Sequence, residues 1–354
     1  MPELCKASSA GQQGRDFVTH FMIDHCRAVW AVVAAVGLPA AALPSQASAQ
    51  AYPSKTITLI IPFAAGGPSD TLGRITADHM GRTLGQQIVV ENVGGAGGTV
   101  GAERAAKAAP DGYTLFQHHT AYPAAQSLYS NLRYDTRTAF ETIGLINTGP
   151  MVLASRKTLE VADAKSLIAW MKQLGDKATV AHAGVASNSH LCSLLLMQIA
   201  GSKPSLVPYR GTGPAMNDLV AGQIDVLCDQ ATTATPQVVA GTIKAYAVTS
   251  AERLAALKDV PSAKEAGLPG FDMVIWNGFY APKGTPKPIL DTLHAALQKM
   301  LDDPKVIERF AQTGTVTFPQ AQRSMEAHRK LLDSEIERFA VMIKATGLKQ
   351  EEAK

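Results

Sequence analysis

Apolar residues along this chain fall into short β-rich runs that alternate with longer stretches of helical periodicity. "TITLIIPF" (residues 56–63) has the character of a strand, and "TLGRITADHMGRTLG" (71–85) repeats its apolar positions at helical spacing up to Gly85. "QIVVENV" (87–93) is again strand-like. A glycine-rich turn, an alanine-rich helix and a Pro-Asp-Gly turn follow, and "YTLF" (113–116) is a third strand. Strand, helix, strand, helix, strand predicts βαβ units, and with them a parallel sheet and right-handed crossovers.

The pattern restarts after about residue 150. "MVLASR" (151–156) predicts a strand, "DAKSLIAWMKQLG" (163–175) a helix, "ATVAHAG" (178–184) a strand and "LCSLLLMQIAG" (191–201) a strongly apolar helix. "SLVPYRG" (205–211), the helix "GPAMNDLVAG", and the strands "QIDVLCD" (223–229) and "TIKAYAVTS" (242–250) complete this half. Beyond "FDMVIWNGFYAPKGTP" the chain becomes helical, with cap-then-proline starts at Thr285–Pro286 and Asp303–Pro304. No repeat and no low-complexity linker separates the halves. The pattern predicts an α/β protein of two lobes joined by crossing strands near 150 and 275: residues 52–150 and 276–354 in lobe 1, and 151–275 in lobe 2.

Composition narrows the class. A hydrophobic content of 46% with 18% charged residues supports an ample core, and a net charge of +3 is too small to predict nucleic acid or an anionic membrane as partner. Arg27 precedes the apolar stretch "AVWAVVAAVGLPAAAL" and an Ala-x-Ala site at Ala47–Ala49, the layout of a secretory signal peptide cleaved near 49–51. The stretch falls short of the ~20 apolar residues a membrane span needs. Residues 1–51 are therefore expected to leave as leader, with Met1 or Met22 as translation start, and the mature protein to be periplasmic and not membrane-embedded. Cys5 and Cys26 would leave with the leader. Cys192 and Cys228 remain, and two buried free thiols are expected ahead of a bridge between them.

Candidate chemistry sits in the strand-to-helix loops. In an open α/β sheet, ligands bind outside the carboxyl ends of the strands, where loops feed helix N-termini. "FAAGGPSD" (63–70) is such a loop: Gly66 and Gly67 expose backbone, and Ser69 and Asp70 can cap the next helix. An ordinary glycine turn and a backbone-lined site explain it equally well. "NVGGAGGTVG" (92–101) misses the dinucleotide glycine spacing by one place and has no P-loop lysine, so nucleotide binding is not expected. "AHAGVASNSH" (181–190) offers Ser187 and Ser189 to an anion at a helix N-terminus, or one serine simply as the cap. In "QHHT" (117–120), adjacent histidines on a strand point to opposite faces and make a poor chelate, so no metal or other cofactor is expected. There is no G-x-S-x-G, no H-E-x-x-H, and no paired carboxylates to serve as acid and base. Several loops with exposed backbone and no catalytic set read as a binder.

Five segments together carry a resemblance: "YPSKTITLIIPFAAGGPSDTLGR", "LGQQIVVENVGGAGGTVGAERAAKAAPDGYTL", "VPYRGTGPAMNDLVAGQIDV", "VPSAKEAGLPGF" and "WNGFYAPKGTP". In this order they resemble the substrate-binding receptors of tripartite tricarboxylate transporters, the Bordetella-uptake-gene family, from Tyr52 to about Gly314. The resemblance implies a periplasmic-binding-protein (Venus flytrap) fold, type II-like, with two hinge crossovers, that closes on a small organic carboxylate and hands it to membrane permease subunits. It implies ligand contacts at Phe63, Ala64, Ala65, Gly66, Ser69 and Asp70, facing Ser187, Asn188, Ser189 and His190, with Asp229 at the floor. The family commonly has Pro-Gly-Gly where this chain has Ala65-Gly66-Gly67, and a glycine near Ala186. "QHHTAY" also departs from the small or hydroxyl residues usual there, which points to His118, His119, Thr120 and Tyr122 for specificity. The expected protein is a monomer without enzymatic activity. The rival expectations are an exported ester or amide hydrolase using His119 or His190 as base, and a ligand-sensing adaptor for a membrane kinase.

Overall fold

The structure is a computed structural model that describes residues 52–346, 350 and 352. The expected leader, residues 1–51, lies outside the described residues. In chain order the elements are β1 (Ile57–Ile61), α1 (Pro68–Leu84), β2 (Ile88–Asn92), α2 (Thr99–Ala106), β3 (Thr114–His119), α3 (Ala125–Leu128) and β4 (Phe140–Arg156). They continue with α4 (Ala164–Leu174), β5 (Thr179–His182), α5 (Asn188–Ala200), β6 (Ser205–Pro208), α6 (Thr212–Val220), β7 (Val226–Gln230), α7 (Ala231–Val239) and β8 (Ile243–Val248). The chain then runs through β9 (Val274–Pro282), α8 (Lys287–Leu301), α9 (Pro304–Gln312), β10 (Val316–Thr317) and α10 (Met325–Thr346).

The result is a mixed α/β, two-lobed fold built on the strand order β2-β1-β3-β9-β4-β7-β5-β6, with β8 and β10 also paired to β4. β1 lies parallel to β2 and β3, and β5 lies parallel to β6 and β7, as the βαβ pattern predicts. The parallel units sit in a mixed sheet, because β9 runs antiparallel to both β3 and β4. The 17-residue β4 is longer than the predicted strand at 151–156. Gly144, Gly149 and Pro150 suggest a break in the sequence, yet the strand absorbs them through register shifts between Thr142 and Gly144 and between Leu145 and Thr148. Its leading half pairs with β9, ending at Pro150↔Val274, and its trailing half pairs with β7, beginning at Met151↔Gln230. One strand thus changes partner from β9 to β7 along its length.

Both faces of the first lobe are covered. Ile57, Leu59 and Ile61 enter one core with Leu72, Ile75 and Met80 of α1 and Leu293 and Leu297 of α8, while Ile60 points to the opposite core of Phe116, Phe140, Tyr280 and Leu332. A strand buried on both sides needs no polar alternation, which explains the continuous run in β1. Each such side chain stabilises the fold by about 1.5–3 kcal/mol on burial. In the second lobe, Cys192 and Leu196 of α5 pack with Leu153, Val180 and Tyr246. Leu191 turns the other way, toward Phe339 and Ile343 of α10 from the first lobe. Coverage on two sides accounts for the all-round apolarity of α5. On the return path Ile275 packs in the core of the second lobe and Trp276 in a core of the first.

The two expected free thiols are joined instead. Cys192 of α5 and Cys228 of β7 form a disulfide with their Cα atoms 6.1 Å apart, within bridging range. Helical periodicity places Cys192 on the buried face of α5, but only the packing of that helix against β7 brings the partner within reach.

Candidate functional site

β1 ends at Ile61 and its loop feeds α1, whose N-cap is Gly67 with Pro68 in the first helical turn. Gly66 takes a left-handed φ of 82°, which a side chain would disfavour. Asp70 braces this loop from beneath. Its Oδ2 accepts the Gly66 N–H at 3.0 Å and the Arg74 Nε–H at 3.0 Å, and its Oδ1 lies 2.9 Å from the second Arg74 nitrogen. Burial opposes ionisation of Asp70, but Arg74 and the Gly66 N–H outweigh it and hold the carboxyl below the usual range. Phe63 and Ser69 are buried and line a cavity, whereas Ala65 and Gly66 sit exposed on its rim and Ala64 lies at the junction with the second lobe.

The opposite wall comes from the loop between β5 and α5. Ala186 occupies the left-handed region at φ 63°, a conformation that glycine adopts without strain. The Ser187 Oγ caps α5 by accepting the His190 N–H at 3.2 Å, and the Ser189 Oγ accepts the Ala183 N–H at 2.8 Å. The two hydroxyls lie 3.1 Å apart, so one proton between them is spent on the other. Asn188 between them is 2% exposed, and its amide makes no hydrogen bond within the protein. His190 does not line the cavity. Its ring packs on His182 with centroids 4.8 Å apart, and burial lowers its pKa to about 4.

β7 delivers Asp229 to the cavity, with Oδ1 accepting the Gln230 N–H at 2.8 Å and Oδ2 accepting the Thr233 hydroxyl at 2.5 Å. β3 delivers His119, which stacks on Phe63 at 4.9 Å and 19°. Its Nδ1 accepts the Ala121 N–H at 3.3 Å, which places the ring proton on Nε2. Burial takes its pKa down to about 3, so this imidazole is a neutral N–H donor. His118 and His119 do not diverge as neighbours on a strand should. The strand ends there, the His118 Nδ1 accepts the His119 N–H at 2.8 Å, and the rings meet edge to face at 4.6 Å. Thr120 turns away from the cavity, its hydroxyl accepting the Trp276 N–H at 2.7 Å, and Tyr122 is buried with its hydroxyl donating to Thr136 O at 2.9 Å.

The structure therefore brings Phe63, Ser69, His119, Ser187, Asn188, Ser189 and Asp229 around one cavity of about 20 Å³, together with Gly67, Pro68, Met151, Ala183, Thr212 and Gln230. Thr212 and Gln230 escaped the sequence reading. The available signal was that each opens a helix after a strand, Thr212 in "YRGTGP" and Gln230 in "LCDQAT". Four helices, α1, α5, α6 and α7, begin at this cavity, each presenting unpaired N–H groups and the positive end of its dipole. No lysine or arginine lines it. Among the described residues, no group of three His, Cys, Asp or Glu side chains is arranged to hold a metal ion.

The lobes meet above the cavity through main chain. The Ala64 N–H donates to Arg210 O at 3.0 Å, and the Tyr129 hydroxyl donates to Val185 O at 2.9 Å. Glycines line this seam. A Cβ would stand 2.7 Å from Arg210 O if added at Gly94, 2.7 Å from Gly97 N at Gly184, and 2.8 Å from Ala64 N at Gly211. The bare backbone lets the two lobes touch directly and close the cavity to the size of about one water molecule.

Asp229 gives this site a pH signature. Burial raises its pKa to about 6 from the ordinary 3.8, against the hydrogen bonds from Thr233 and Gln230. The folded state thus holds a proton that the unfolded state releases, and stability contributed by that proton is lost as pH rises from about 4 to about 6. The difference amounts to about 3 kcal/mol at ~1.4 kcal/mol per pH unit. Denaturant melts of the ligand-free protein from pH 4 to 8 should show a stability difference between wild type and Asp229→Asn that grows in favour of the variant across that window. Parallel pH profiles for the two proteins would contradict it.

Comparison with known proteins places this geometry. Residues 72–348 match the model of the tripartite tricarboxylate transporter family receptor. A UPF0065 protein from the TAR-I ttuE-ttuC' intergenic region of Agrobacterium vitis is 46% identical over 314 residues, covering 88% of this chain and 91% of its own length. The structure of the periplasmic binding protein BugD superposes with a TM-score of 0.82 at 42% identity, covering 85% of this chain and all of that one. MatC from Rhodopseudomonas palustris, solved with bound malate, gives a TM-score of 0.79 at 40% identity, covering 82% of this chain and all of that one.

Proposed function

The chain belongs to the tripartite tricarboxylate transporter receptor family, and from that premise we propose that it is a periplasmic receptor which captures a small organic carboxylate between its lobes and delivers it to a tripartite tricarboxylate-type permease. The observation that carries this reading is the convergence of four helix N-termini on a cavity without a cationic side chain. Such a site holds an anion through fixed backbone dipoles and neutral donors, and closure strengthens those bonds by excluding water. MatC, similar over its whole length, is a protein seen with bound malate.

The lobes are taken as residues 52–150 with 276–354 and residues 151–275, in line with the change of partner along β4 at Pro150–Met151 and of core between Ile275 and Trp276. The protein acts as a monomer, is exported by its cleaved leader, and catalyses no reaction. His119 supports the last point: a ring held neutral, with Nδ1 already accepting a main-chain N–H, is a poor general base. Ligand contacts fall to the loop 63–70 with Ser69 at its end, to His119, to Ser187–Ser189 and to Asp229.

Thermal-shift screening of the mature chain against a panel of mono-, di- and tricarboxylates tests the proposal. An acid present at 100 times its Kd stabilises by about 2.7 kcal/mol, which should appear as a rise of several degrees in Tm. Absence of any shift across the panel at millimolar concentration would sink the carboxylate reading.

A further inference from the structure

We infer that Asn188 reads a hydroxyl group on the ligand, so that the receptor prefers hydroxy-substituted carboxylates over their unsubstituted counterparts. The inference rests on the carboxylate reading above and deepens it.

Asn188 stands at the first residue of α5, lines the cavity and is 2% exposed, and neither its Oδ1 nor its Nδ2 has a hydrogen-bond partner within the protein. Because both amide atoms are free, the argument holds whichever way the amide is turned. The neighbouring serine hydroxyls are already engaged, with the Ala183 N–H, with the His190 N–H and with one another. An amide offers two donors and one acceptor. A carboxylate, which only accepts, satisfies the donors and leaves the buried acceptor unpaired, and sites with a buried polar group left unpaired discriminate strongly against the ligand that leaves it so. A ligand that carries a donor beside its carboxylate satisfies both.

That donor is a hydroxyl rather than an ammonium. An ammonium needs a free anionic partner, and the site has none to spare. Asp70 does not line the cavity and is ion-paired with Arg74, and the Asp229 carboxyl, which does line it, already accepts from Gln230 and Thr233, one bond on each oxygen. The four helix N-termini also oppose a cation. Thr212, 6% exposed in the same cavity, adds a hydroxyl that makes no hydrogen bond within the protein and can give or take a proton with the same group.

Isothermal titration of the mature full chain with matched pairs (lactate and propionate, malate and succinate, citrate and tricarballylate), with aspartate as the ammonium control, decides the matter. In at least one pair the hydroxy acid should bind about tenfold or more tightly than its partner. Asn188→Ala should erase that ratio by weakening the hydroxy acid about tenfold, with the partner's affinity changed far less. Equal wild-type affinities within every pair, equal weakening of both members by Asn188→Ala, or aspartate binding more tightly than malate would each overturn the inference and leave carboxylate binding standing. Failure of every acid to bind would overturn the carboxylate reading and this inference with it.

Discussion

Gly213→Ala is expected to weaken carboxylate binding by about 100-fold while leaving the ligand-free protein as stable as wild type. Gly213 is the second residue of α6, and its φ lies outside the left-handed region, so alanine suits its backbone and its helix. The obstacle stands across the seam. A methyl group at this position would lie 2.8 Å from the Gly67 N and 2.9 Å from the Gly66 carbonyl carbon, and closer still to Ala65 O. All three are main-chain atoms of the opposite lobe and cannot rotate aside. The lobes must stand apart, and the ligand then keeps its bonds to one wall and loses two or three to the other. At about 1–1.5 kcal/mol each, that loss amounts to roughly 100-fold in Kd. Titration calorimetry gives the affinity, and small-angle scattering shows whether the ligand-bound variant stays expanded where wild type contracts. A variant that contracts and binds like wild type would show that the glycine seam does not limit closure. Gly97→Ala is a poorer probe, because its φ of 62° adds local strain to the clash with Val185 O.

Replacing Cys192 and Cys228 together by alanine should cost about 4 kcal/mol of stability. The bridge spans 36 residues, and the loop-closure entropy it removes from the unfolded chain amounts to that figure. Both cysteines are fully buried, so in the native state the bond is shielded from reductants. The bond also ties the site together. Cys192 lies one helical turn beyond Asn188 on α5, and Cys228 immediately precedes Asp229 on β7. Urea denaturation of the mature protein, with and without a thiol reductant, should therefore separate into a reductant-sensitive wild type and an insensitive, less stable double variant. A double variant within 1 kcal/mol of wild type, or a native chain with two titratable thiols after unfolding without reductant, would rule the bridge out as a determinant of stability.

The structure shows which inferences local pattern can carry. The parallel pairs β1/β2 and β5/β6 were legible because each is a βαβ unit, and its periodicities switch within a few tens of residues. β9 was legible only as a crossing strand near 275, not as the antiparallel strand between β3 and β4. "VIWNGFY" carries an internal glycine and asparagine that weaken a strand signal, and Gly278 is required there because a Cβ would meet the His328 ring. For β4 the sequence reading held a crossing strand near 150 but not its 17-residue length, which runs through Gly149 and Pro150 as the strand changes partner from β9 to β7.

The candidate site divides along the same line. That loop 63–70 ends a strand and opens a helix follows from residues adjacent in sequence. That its Asp70 braces the loop through Arg74 four residues on is also local, though hydrogen-bond geometry had to reveal it. By contrast, Thr212 and Gln230 join the cavity, and Thr120 leaves it, because of contacts between segments far apart in the chain. The sequence by itself determined two α/β lobes, bare-backbone loops at the strand ends and a family resemblance without a catalytic set, since propensity, periodicity and turn chemistry act over short stretches. The tertiary structure alone decided the Cys192–Cys228 bridge, the neutral tautomer of His119, the unpaired amide of Asn188 and the glycine seam. Each of these depends on which distant backbone a residue meets, and that is settled only when the long strands pair and the lobes close.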